Sequence, residues 1–96
     1  MILSDADQIC SNLQAMTLGI LPPKSILPKF FEHPDKDEII HVIRGKGYIN
    51  FQHRDPMLIE AGDVVCIPAG TPHQLENPNL DELAAYFIRI YTSKND

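Results

Sequence analysis

The chain has 96 residues, 44% of them hydrophobic and 22% charged, with a formal net charge of −5. Those values suit one small globular domain with a single core and room for one site. They argue against a nucleic-acid binder, because the eight basic residues (Lys24, Lys29, Lys36, Arg44, Lys46, Arg54, Arg89 and Lys94) form no cluster to meet phosphates.

The opening MILSDADQIC lacks the basic and apolar regions of a signal peptide, and no apolar run is long enough to cross a bilayer. A cytoplasmic protein is the resulting expectation. Cys10 and Cys66 have no Cys or His at metal-site spacing, so both are read as unpaired core thiols.

Eight Pro and five Gly cut the chain into short, regularly spaced pieces, the pattern of an all-β protein. Residues 4–12 fit a short helical turn capped by Ser4. Residues 13–21, LQAMTLGIL, read as a strand. PPKSILP is a stiff connection, and Lys29–His33 is expected to be a second strand. After the turn HPDKDE, the run EIIHVIR (38–44) is apolar on both faces, as a buried strand should be. Gly45 and Gly47 bracket a reversal.

In YINFQH (48–53), Ile49, Phe51 and His53 share one face and Tyr48, Asn50 and Gln52 the other. MLIE (57–60) and VVCI (64–67) follow as short strands. Leu80, Leu83, Ala84 and Phe87 sit at helical spacing, but the Tyr/Phe/Ile-rich continuation favours a strand over 84–92.

The chemistry centres on GDVVCIPAGTPHQLEN (62–77). Pro68 and Gly70 make a sharp turn behind a strand, and His73, Leu75 and Asn77 share a parity beyond it. Alone, such a His is more often structural than a ligand. FEHPDKDEIIHVIRG (31–45) supplies companions, His33 before a turn and Glu38 leading a buried strand. A carboxylate there is costly unless compensated, and a divalent metal with imidazole co-ligands would compensate it.

Gly62, Pro68, Gly70, His73 and Asn77 match G-x5-P-x-G-x2-H-x3-N, the second motif of the cupin superfamily, at every fixed position. His33, Glu38 and Gly45 match the second His, the Glu and the last Gly of the first motif, G-x5-H-x-H-x3-4-E-x6-G. The chain therefore resembles a small single-domain cupin, with the first motif near 25–45 and an N-terminal arm over 1–12. The resemblance implies a small antiparallel β-barrel of jelly-roll type. It also implies a divalent metal (Fe, Mn, Ni, Zn or Co) on His33, Glu38 and His73, and a homodimer formed through sheet edges.

Two positions depart from the pattern. Ser25 replaces the motif's opening Gly and Phe31 its first His. What remains is two imidazoles and one carboxylate, the set of the non-haem iron facial triad; alternatively, the lost ligand has weakened or abolished metal binding. His41 has the opposite parity to Glu38 and is read as a sheet-face residue, and His53 as solvated.

Tyr48, Asn50, Gln52, Tyr86 and Arg89 are the polar candidates for a pocket, with Phe31 and Met57 as apolar ones. Only one of Tyr86 and Arg89 can face inward, and an Arg there would suit a carboxylate or phosphate ligand. Phe31, Tyr48, Asn50, Met57 and Arg89 are the expected small-molecule contacts. Two functions stand open beside a third reading, an interaction module in which the barrel serves mainly as a dimer scaffold. One is a metal-dependent protein of oxygenase or isomerase type; the other is a non-catalytic ligand-binding or sensor barrel.

Overall fold

A computed structural model describes residues 13–92. The expected helical turn over 4–12, and Cys10 with it, lie outside the described residues. No helix occurs among the described residues, and eight strands run β1 (Leu13–Leu21), β2 (Ser25–Ile26), β3 (Lys36–Arg44), β4 (Lys46–Phe51), β5 (Met57–Glu60), β6 (Val64–Ile67), β7 (His73–Asn77) and β8 (Leu83–Tyr91).

They form two four-stranded antiparallel sheets, β1-β8-β3-β6 and β2-β7-β4-β5. This is the strand order of a jelly roll, in which successive strands alternate between packed sheets except at the β4–β5 hairpin. No ladder joins the two sheets among the described residues, so the expected jelly roll is an open pair of packed sheets rather than a closed barrel.

One apolar core joins them: Leu21, Ile40, Val42, Ile67, Leu83 and Ala85 from the first sheet meet Ile49, Ile59 and Leu75 from the second. Strict alternation puts these residues inside, as in β3, where Glu38, Ile40 and Val42 are buried and their neighbours less so. The outer face of the first sheet is apolar too. Met16, Leu18 and Ile20 of β1 and Val64 of β6 are each about half exposed or more. Cys66 lies on this outer side as a free, exposed thiol, which corrects its reading as core: on β6 the inward positions are Val65 and Ile67.

The expected strand over Lys29–His33 is not formed. Pro22, Pro23, Pro28 and Pro34 surround this segment and cannot donate to a ladder. Pairing with β7 survives as two-residue β2 and, further on, as a single bridge between Phe31 and His73.

Two residues fasten the turns. Gly45, at φ 83°, reverses the chain between β3 and β4 where any side chain would run into the Glu82 carbonyl. Asn77 is fully buried, and its amide donates to the carbonyls of Leu21 (3.1 Å), Pro22 (3.0 Å) and Asp81 (2.8 Å). Its Oδ1 accepts from the Asn79 N–H at 3.1 Å. The motif's last position therefore ties the β1–β2 loop to the β7–β8 loop. Asn77→Ala would leave these buried and part-buried groups without their partner. The expected loss is about 3 kcal/mol of stability, read as a lower urea midpoint at unchanged slope; a midpoint equal to the parent's would contradict this role.

Candidate functional site

A cavity of about 270 Å³ lies between the sheets, lined by Leu21, Leu27, Phe31, Leu75 and Phe87 on its apolar walls, and by His33, Glu38, His73 and Arg89. Four of the sequence-derived site residues of the two motifs, Phe31, His33, Glu38 and His73, thus share one cavity, and Arg89 joins them.

Local sequence explains the placement. Glu38 is the first inward position of β3 to be buried, and β8 sets Arg89 directly opposite it in the antiparallel register. His73 opens β7 after the Pro68–Gly70 turn, in which Gly70 takes φ 79°. That turn is held to the loop before β3 and to the start of β3: the Gly70 N–H donates to the His33 carbonyl at 2.9 Å and the Ala69 N–H to Asp37 Oδ1 at 2.8 Å. The backbones of His73 and Phe31 exchange two hydrogen bonds, 3.0 and 2.8 Å.

The polar end of the cavity is one connected network. His73 Nδ1 lies 2.8 Å from the Thr71 carbonyl, a pure acceptor, so Nδ1 carries a proton. His73 Nε2 is 2.6 Å from Glu38 Oε1, and Arg89 Nε donates to Glu38 Oε2 at 3.2 Å. The side chains of Glu38 and His73 are both 5% exposed and that of Arg89 33%. With Glu38 ionised, both ring nitrogens of His73 face acceptors and the ring is an imidazolium.

Burial by itself would raise the Glu38 pKa, but the hydrogen bond and charge of His73, with Arg89, outweigh it and hold the group below its ordinary 4.5. Burial works to lower His73. The bonds to Glu38 and Thr71 and the Glu38 charge prevail, lifting it above 6.5. His33 is pushed down, first by burial and then by the Arg89 charge, and its buried Nε2 has no hydrogen-bond partner.

The other expected contacts fall elsewhere. Tyr48 and Asn50 do not line this cavity: Ile49 takes the inward position of β4, which turns its neighbours outward, where Asn50 donates to Gln74 (3.3 Å) and Glu76 (3.1 Å). Gln52 and His53 are exposed. Met57 packs against the core without lining the cavity. Tyr86 pairs with Leu18 and His41 on the opposite side of the first sheet from Arg89. Leu27 and Phe87 are cavity residues that the sequence reading missed; Phe87 shares the parity of Arg89, so settling one would have found the other.

Cupins commonly hold a divalent metal, and the donor set here does not fit one. Among the described residues no three His, Cys, Asp or Glu side chains are grouped so as to hold a metal ion. Phe31 stands where the motif has a His, Glu38 has both oxygens engaged, and the group on Oε2 is a cation.

Residues 17–89 match the family model of the cupin domain. The chain is 38% identical over 74 residues to a vicilin-like antimicrobial peptides protein of Macadamia integrifolia, covering 74% of this chain and 11% of that protein. It is 38% identical over 42 residues to an uncharacterized Bacillus subtilis protein, YdbB, covering 44% of this chain and 37% of the other. The chain thus spans about a tenth and about a third of these relatives' lengths.

Among solved structures, a predicted oxalate decarboxylase from Thermotoga maritima superposes with a TM-score of 0.78 at 24% identity, covering 95% of this chain and 76% of that one. A cupin protein from Bacteroides fragilis does so with 0.74 at 21%, covering 84% and 68%. These likenesses concern the fold.

The opposed shifts of Glu38 and His73 have a measurable consequence. The lowered Glu38 contributes stability above 4.5 that is lost as pH falls through its folded value. The raised His73 contributes stability that is full below 6.5 and lost as pH rises through its folded value. Thermal unfolding followed from pH 3 to 9 should therefore show a maximum between those two ordinary values. Glu38→Gln should remove most of the decline on the alkaline side; an unchanged alkaline limb would contradict the pairing.

Proposed function

Given that the chain belongs to the cupin family, we propose that it is a ligand-binding cupin that takes a small organic anion in this cavity without a resident metal. The observation that carries the reading is the split character of the cavity: hydrocarbon on most of its wall, and cationic or unspent donors at one end. Arg89 meets Glu38 through Nε, which leaves its two terminal nitrogens for a ligand. That fork suits a carboxylate, which can accept two parallel N–H bonds. His33 Nε2, buried and unpartnered, is a further polar contact on the same wall.

The volume of about 270 Å³ falls just below the range of about 300–1,000 Å³ for drug-sized ligands, so the occupant is small. Leu27, Phe31, Leu75 and Phe87 would enclose an aliphatic or aromatic body. Glu38 and His73 satisfy each other, which leaves the His33 imidazole as the unpartnered base among the described cavity residues. The reading is one of binding, and the oxygenase or isomerase reading, which needs the metal, is not carried forward.

Calorimetry with a panel of short aliphatic and aromatic monocarboxylates, each paired with its neutral amide, tests the proposal. At least one acid should bind about tenfold or more tightly than its amide, a difference of about 1.4 kcal/mol, and Arg89→Met should erase the preference. Equal binding of acids and amides, or a preference that survives Arg89→Met, would overturn it.

A further inference from the structure

Glu38 is the carboxylate that a metal in this fold would have to reach, and the protein already holds it at both oxygens. Oε1 belongs to His73 Nε2 at 2.6 Å and Oε2 to Arg89 Nε at 3.2 Å. The second contact is built into the sheet. Register places Arg89 directly across from Glu38, with Ile39↔Ile88 and Ile40↔Phe87 as the next pairs. A cross-strand pair of opposite charge is anchored at both Cα positions, unlike a surface Arg reaching in from a loop.

Phe31 faces the same cavity from the position where the motif calls for an imidazole. His33 lines it too, with a nitrogen that has found no partner. His33, Glu38 and His73 therefore line one cavity without being grouped as a metal site, and a guanidinium holds the carboxylate among them.

We propose that Arg89 is a specificity residue acting against metal: a built-in cation that neutralises Glu38 and excludes a divalent ion from the His33, Glu38 and His73 side chains. The inference rests on the metal-free reading above and goes beyond it by naming the residue responsible. It also makes a reverse prediction. Removing the guanidinium frees Oε2 and takes away one of the two cations on Glu38, so the three side chains can close on a metal and a site should appear.

The experiment uses the full chain without a polyhistidine tag, with Zn²⁺ as probe. The parent, Arg89→Gln, Arg89→Lys and the double variant Arg89→Gln/His33→Ala are equilibrated with Zn²⁺, dialysed and assayed for bound metal, alongside thermal shifts in Zn²⁺. Arg89→Gln should hold about one equivalent and bind Zn²⁺ about tenfold or more tightly than the parent. Arg89→Lys, which keeps the charge, should behave as the parent. The double variant should lose the gain, which identifies the new site as the one in the cavity.

A folded Arg89→Gln that binds no more Zn²⁺ than a metal-poor parent overturns the inference and leaves the metal-free reading standing. A parent that itself retains one equivalent at the cavity overturns both. If Arg89→Gln is unfolded without metal, recovery of its circular dichroism on adding Zn²⁺ supports the inference, and failure to recover overturns it.

Discussion

A carboxylate buried at the head of β3 is the constraint around which this molecule is organised. Taking one ionised carboxylate out of water costs several kcal/mol even after relaxation, and removing one partner of a buried pair costs about 3–5 kcal/mol. Glu38 meets that cost with two protein cations rather than one, His73 on Oε1 and Arg89 on Oε2. Two cations on one carboxylate leave the network with a surplus positive charge, so charge compensation no longer calls for a metal. An effective dielectric of about 20 puts the repulsion between a guanidinium and a second unit charge 4 Å away at about 4 kcal/mol. A divalent ion would meet about twice that, enough to outweigh much of what a three-donor site offers.

The same few backbone contacts that make the fold also aim the site. β3 and β8 run opposite each other over most of their lengths, and this register sets Glu38 against Arg89. The Pro68–Gly70 turn is bonded to the His33 carbonyl and to Asp37, so the loop that carries His33 also orients His73. At the far end of β7, Asn77 locks two loops with one side chain. The two ends of the second motif thus do different work. His73 belongs to the charge network, while Asn77 belongs to the architecture.

Much of this could be read from the residues, and the limits have physical causes. LQAMTLGIL, MLIE and VVCI are strands with the boundaries that their flanking turns imply. The shared face of His73, Leu75 and Asn77 is real because β7 is regular, with all three buried. Lys29–His33 misled because its apolar residues suggest a strand while the surrounding prolines deny it a ladder.

The face of Arg89 was undecidable from pattern. β8 is apolar on both sides, since the outer surface of its sheet is apolar as well, and hydropathy cannot then choose between Tyr86 and Arg89. Cys66 misled for the same reason, apolar neighbours concealing an outward position. Tyr48 and Asn50 were placed correctly on a common face, but the cavity lies on the other. A metal is one way to compensate Glu38, and the second partner that the carboxylate has instead lies 51 residues away in sequence.

The protonation state of His73 tests the account most directly. Nitrogen-15 NMR of the imidazole at pH 6, in the apo protein and with one equivalent of Zn²⁺, reports both ring nitrogens separately. The account predicts an imidazolium with Nδ1 and Nε2 both protonated and no change on adding Zn²⁺. A neutral ring with Nε2 unprotonated, or an Nε2 signal that moves to a metal-bound position, would contradict it.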